Sequence, residues 1–239
     1  VRALIDAQLA QARALAASFV AVQGVGDLVR AVDHDIAPGV QPDMREEGLA
    51  SDDWPALTER VLAADILVLG TPIWLGDKSS VATRVVKRPS SLSGWLNDEQ
   101  QSIFSGKVGG VIVTGNEDGA HHIVACVSQA LIDIGFTVPG QAWTYWHLGP
   151  GPGPDYLEDK KGHEWSDMTG RNAARIMASV ASALEVASST TLAAAVPAKT
   201  TTAPSAASPM ATAPIAARLT SMLMLNGSPR RALASAFFA

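Results

Sequence analysis

Cysteine is all but missing from this chain. Cys126 stands alone among 239 residues, which excludes an intramolecular disulfide framework and fits a reducing, cytoplasmic setting. Lying in HHIVACVSQALIDIG, it reads as a small buried hydrophobe. Uninterrupted apolar runs of membrane-spanning length are absent as well, so no bilayer crossing is expected. Charge is sparse at 17%, and its balance of −5 with a pI near 5.5 offers no electrostatic attraction for nucleic acid or an anionic membrane. No G-x-S-x-G, Walker-type loop or H-E-x-x-H occurs, which removes the anchors for hydrolase, P-loop and zinc-protease chemistry. VQGVGDLVR (22–30) has two glycines but leads into a strand rather than a helix, the wrong context for a dinucleotide fingerprint. His121 and His122 are adjacent and point about 100° apart on a helix, so no metal site is expected there.

What is present is enough apolar material, 47%, for a sizeable core. Residues 2–19 place Leu4, Ile5, Leu9, Ala12, Leu15 and Phe19 at helical spacing, with Asp6 and Arg13 interrupting, which argues for an amphipathic helix rather than a secretory signal. Apolar runs at 65–72, 107–116, 136–146 and 220–229 read as strands buried on both faces. A more alternating run at 26–33 suits a position nearer an edge. Helical patterns at 54–64, 79–88, 119–134 and 167–186 fall between them. The alternation predicts a doubly wound parallel α/β sheet.

Residues 187–217 break the pattern, being almost wholly Ala, Thr, Ser and Pro with the single charge Lys199, and read as a linker. The remaining 218–239 are too few to form a domain. They are expected to complete the domain begun by 1–186, supplying its central first strand at 218–226 after the linker, with 1–19 as the helix that would ordinarily follow. The chain then reads as a circular permutation broken inside the first strand–helix unit.

In such sheets ligands bind beyond the C-terminal ends of the strands. Three junctions there carry suitable residues. NGSPRR follows the 220–225 run: Gly227 permits a tight turn, Ser228 can cap a helix, Pro229 suits its first position, and Arg230 and Arg231 add positive charge for a phosphate. GTPIWLG (70–76) follows the run that begins at 65, presenting Ile73 and Trp74 on a loop, with Gly76 where a flat ligand could approach the backbone. TGNEDGAHH (114–122) follows the run that begins at 107, offering Asn116, Glu117, Asp118 and Gly119 before a helix start.

Together GTPIWLG, Gly106-Lys107 leading into VGGVIVTGNEDGAHH, and LNGSPRR resemble the flavodoxin-like NAD(P)H-dependent FMN reductase family, over roughly 20–185 in order plus 218–231 out of order. The resemblance implies a five-stranded flavodoxin-like sheet, with FMN as cofactor and NAD(P)H as co-substrate. It implies that Asn226, Gly227, Ser228 and Arg230 hold the phosphate. Thr71, Pro72, Ile73, Trp74 and Gly76 would pack on the ring and ribityl chain, while Gly115, Asn116, Glu117, Asp118 and Gly119 line the ring's other edge. No catalytic side chain is required of the protein. The match thins after Arg230, where RALASAFFA offers only Ser235 as a polar contact.

The expectation is therefore an oxidoreductase passing a hydride from NAD(P)H to a flavin, quinone or similar small-molecule acceptor, working as a homo-dimer or higher homo-oligomer. A flavodoxin-type electron carrier and a flavin-free binding module are the alternatives. Of two long excursions, 91–107, with Trp95 and Phe104, is expected beside the site, while 147–168, with Trp143, Tyr145, Trp146 and Trp165 nearby in sequence, reads equally as a cover for a flavin or as a solvated surface excursion.

Overall fold

The computed structural model describes residues 26–149, 151, 153, 154, 156, 158–194 and 234–238. β1 (Gly26–Arg30) is followed by a loop to α1 (Trp54–Ala63). β2 (Ile66–Trp74) turns into the two-residue β3 (Asp77–Lys78) and α2 (Ser80–Lys87). Then come β4 (Val108–Gly115), α3 (Ala120–Ile134), β5 (Trp143–His147), α4 (Lys160–Ala194) and β6 (Ala234–Phe238). The five parallel strands lie in the order β1-β6-β2-β4-β5, with β3 antiparallel against the far end of β2.

The first-strand slot is filled from the C-terminal segment. Ala234 pairs with both Gly26 and Ile66, and Phe238 with both Arg30 and Gly70. The strand is Ala234–Phe238, not the 218–226 run, which lies outside the described residues, as do 1–25, 195–233 and 239. RALASAFFA has a helix-like composition. Between two strands, however, its backbone finds a partner on each side, and that outweighs a weak local preference.

β2 and β4 are buried along almost their whole length, which is why their sequences run apolar without alternation. One face packs Leu67, Leu69, Ile73, Val111 and Val113 against Leu57, Val85, Ile123 and Val127. The other packs Ile66, Val68, Val108 and Ile112 against Ala173, Ala174 and Met177 of α4. A Cβ on Gly110 would meet Met177 Sδ at 2.5 Å, so the glycine sets how closely α4 approaches.

Several elements differ from expectation. The 136–146 run is split: Thr137 makes one bridge to Val108, Pro139-Gly140 interrupts the ladder, and β5 proper starts at Trp143. α4 continues to Ala194, into the alanine-rich stretch expected to be linker, because no proline intervenes before Pro197 and alanine is the best helix former. The 91–107 excursion lies at the opposite edge from the site. It connects α2 to the start of β4, and Ser102 Oγ donates to Ile134 O at the end of α3 (2.6 Å). Phe104 is buried there, stacked on Phe136 with centroids 5.0 Å apart. Cys126 is half-buried on α3, its Sγ 3.7 Å from His122 Nε2.

Candidate functional site

At the C-terminal edge of the sheet, GTPIWLG does not open into a loop. β2 runs on through Trp74 and reverses over Leu75-Gly76, and Asp77 and Lys78 pair back on Trp74 and Ile73. Both turn residues have positive φ, 53° and 77°, the signature of the type I′ turn that matches strand twist. Gly76 supplies this at no steric cost; Leu75 does not. Strand alternation separates the apolar pair. Ile73 is buried against the bare backbone of Gly115, while Trp74 is 39% and Leu75 96% exposed.

Thr71 is buried, its Oγ1 accepting from the Ser79 N–H (3.1 Å) and donating to Pro72 O (3.0 Å). Ser79 in turn caps α2 by accepting from the Ala82 N–H (3.1 Å). The Thr71 hydroxyl is thus committed to holding the end of β2 onto α2. Pro72 is half-buried between.

The TGNEDGA turn meets this hairpin directly. A Cβ on Gly119 would lie 2.4 Å from Gly76 O, so only glycine fits where the two backbones cross. Its φ of +121° reinforces the requirement. Glu117 Oε2 accepts from the Gly76 N–H at 3.3 Å. Asp118 Oδ1 accepts from the Gly119 N–H (2.8 Å), and Asn116 Nδ2 donates to Gly151 O (3.4 Å), linking the turn to the segment after β5. The 147–168 excursion therefore begins beside these turns.

The structure thus brings together Thr71, Pro72, Ile73, Trp74, Gly76, Gly115, Asn116, Glu117, Asp118 and Gly119 at one edge. Asn226, Gly227, Ser228 and Arg230 lie outside the described residues. Ser235 lies within β6, its backbone paired with Asp27 and Leu67.

Sequence reasoning passed over three features here. Thr114, at the end of β4, is 1% exposed and its Oγ1 has no hydrogen-bond partner among the described residues. Asp77 is held below the ordinary carboxylate range by the Lys78 N–H and ammonium, partly opposed by burial, with His122 adding a little. Finally, Trp143, Tyr145 and His147 line one face of β5 with ring centroids 5.9 and 5.5 Å apart, and His121 sets its edge on the first two. The period-two spacing in WTYWH was the available signal for that row. Among the described residues no group of His, Cys, Asp and Glu is arranged to hold a metal, and no helix is long and apolar enough to cross a membrane.

A flat, hydrogen-bonding ring fits what is present. Two glycine-bearing turns cross at its edge, a tryptophan is partly exposed, and a buried hydroxyl has no partner among the described residues. The fold is that of a flavodoxin-like α/β protein, and two glycine-bearing turns cross at the C-terminal ends of its β2 and β4. More narrowly, the NADPH-dependent FMN reductase family matches residues 6–149, and the chain belongs to that family. Membership carries FMN as cofactor and NAD(P)H as co-substrate.

The chain is 51% identical over 146 residues to the divalent metal cation transporter MntH of Mycobacterium bovis, covering 61% of this chain and 21% of that protein. It is 39% identical over 140 residues to the 8-demethyl-8-aminoriboflavin-5'-phosphate synthase of Streptomyces davaonensis, covering 56% of this chain and 54% of that enzyme. The aligned portion thus spans about a fifth and about half of these curated relatives. Among solved structures, RosB with the bound intermediate 8-demethyl-8-formylriboflavin-5'-phosphate superposes with a TM-score of 0.66. The two are 28% identical, and the match covers 86% of this chain and 88% of that one.

Proposed function

We propose that this protein is an FMN-dependent oxidoreductase that takes a hydride from NAD(P)H and delivers it to a flavin, quinone or similar small acceptor. The supporting observation is the crossing of the β2–β3 hairpin and the β4–α3 turn at Gly76 and Gly119, on the ligand edge of a flavodoxin-like sheet. Bound FMN would supply the hydride chemistry. The chain's part is to hold and orient it: Pro72 and Trp74 against the ring, the backbone of Gly115 to Gly119 along its edge, and Asn226, Gly227, Ser228 and Arg230 at its phosphate. A small-molecule acceptor, a cytoplasmic location and a homo-oligomeric state belong to the same proposal. Titration of the purified protein into FMN tests it. Quenched flavin fluorescence followed by steady NAD(P)H oxidation with a quinone is the expected result. Unchanged fluorescence overturns the assignment, and binding without turnover moves it to an electron carrier.

A second reading treats the flavin as substrate. It is favoured by the 39% identity to a synthase that makes an aminoriboflavin phosphate, and by the superposition on RosB carrying a formylated flavin. Mass spectrometry of FMN recovered after aerobic incubation separates the two: an unchanged mass supports the reductase, an altered one the flavin-modifying enzyme.

A further inference from the structure

The tip of the β2–β3 hairpin raises a question that the flavin assignment leaves open. Leu75 sits in the left-handed region at φ 53° while 96% exposed, so no burial of its own side chain compensates the unfavourable backbone. The tip must be held by its neighbours. Among the described residues, two contacts from the β4–α3 turn reach it. The Gly119 backbone leaves no room for a Cβ against Gly76, and the Glu117 carboxylate accepts the Gly76 N–H at 3.3 Å. Asp118 is turned back onto the Gly119 N–H, so it is Glu117 whose side chain crosses to the hairpin.

We propose that Glu117 is a positioning residue: by holding the Gly76 N–H it locks the Trp74-Leu75-Gly76 tip and thereby fixes Trp74 at the edge of the flavin site. This rests on the assignment of that site to FMN. It gives Glu117 a role different from lining the ring, since its carboxylate is engaged with the hairpin backbone. The turns at the ends of β2 and β4 are then coupled. Movement of one, as a ring or acceptor enters, is transmitted to the other through this charge-assisted hydrogen bond and the Gly76–Gly119 backbone contact.

The test uses the full chain with Glu117→Ala and Glu117→Gln. Three measurements are made on each: amide hydrogen exchange at Gly76 without added flavin, the FMN dissociation constant by fluorescence quenching, and the urea unfolding midpoint. Glu117→Ala is expected to speed exchange at Gly76 and raise the FMN dissociation constant about tenfold each, the scale of one hydrogen bond to a charged acceptor, with little change in midpoint. Glu117→Gln, whose amide oxygen can still accept from Gly76, is expected to recover most of both. Unchanged exchange at Gly76 in Glu117→Ala overturns the proposal. So does a Glu117→Gln variant as impaired in FMN binding as Glu117→Ala, because the negative charge would then act on the ligand directly. Wild-type protein that fails to quench FMN sinks the flavin assignment. Wild-type quenching matched by Glu117→Ala sinks only the role of Glu117.

Discussion

Two carboxylates in this molecule each grip the backbone of a loop, and they do so very differently. Asp52 is fully buried. It accepts the N–H groups of Ala37 (3.2 Å), Met44 (3.0 Å) and Trp54 (3.1 Å) as well as the Arg88 guanidinium (2.7 Å). Arg88 also donates to Ala37 O and Pro42 O and lies over the Trp54 ring. The loop from β1 to α1 is thereby tied at several points to the end of α2. Glu117, in contrast, holds one N–H at 3.3 Å, on a hairpin whose tip is exposed and in an unfavourable conformation. A loop gripped by many simultaneous bonds opens only with the fold, whereas one gripped by a single bond can adjust to a ligand. The first is therefore expected to matter most for stability and the second, on the proposed flavin site, for binding.

Removing the inserted strand should have the largest effect, because it undercuts both regions at once. A chain ending at Leu233 would leave β1 with no partner in the sheet and the inner edge of β2 open, and loss of the cooperative thermal transition is expected by circular dichroism. A truncated protein that melts as sharply as the full chain would show that the segment is dispensable.

Next in size is Asp52→Ala, which strands a buried guanidinium and three loop amides. A loss of about 3–5 kcal/mol is expected from denaturant unfolding. The pH dependence has a definite sign. Burial pushes the Asp52 carboxyl up, but the amides of Met44, Trp54 and Ala37 together with Arg88 outweigh it and hold the group below the ordinary carboxylate range. Its contribution is therefore complete above the unfolded value of roughly 4 and is lost as pH falls through the lower folded value. Wild type should lose stability on acidification more steeply than Asp52→Asn.

Gly119→Ala addresses the other region. The added methyl would meet the Gly76 carbonyl at 2.4 Å in an already unfavourable φ, so the hairpin must shift. The stability cost is expected to be about 1–3 kcal/mol, with a proportionately larger loss of FMN affinity. Equal losses in both would erase the distinction between the two regions. Smallest is a gain. Leu75→Asn places the favoured Asn-Gly pair in the type I′ turn and should stabilise by about 1 kcal/mol, read as a shifted urea midpoint.

Much of the scaffold was legible from pattern. Sheet centres covered on both faces demand unbroken apolar runs, so 65–72 and 107–116 announced β2 and β4 within a few residues. The helix after TGNEDG was equally plain, because Gly119 and Gly135 bracket it. The candidate site was legible as two junctions at one sheet edge, but not as a hairpin clasped by a turn. GTPIWLG carries a leucine where a type I′ turn prefers asparagine or glycine, so local chemistry concealed the reversal. ASAFF was concealed for the opposite reason: its local composition is ambivalent and its strand character arises from the two partners it lies between.

Periodicity and turn chemistry act over a few neighbouring residues, and at that range the amino-acid order specified an α/β sheet, its central strands and a slot to be filled from the C-terminal segment. Which five residues fill the slot, that Asp52 meets Arg88, and that Glu117 turns to Gly76 are contacts between distant parts of the chain. Hydrogen bonds and ion pairs operate over only a few ångströms, so such partnerships come into being once folding has closed the distance between them.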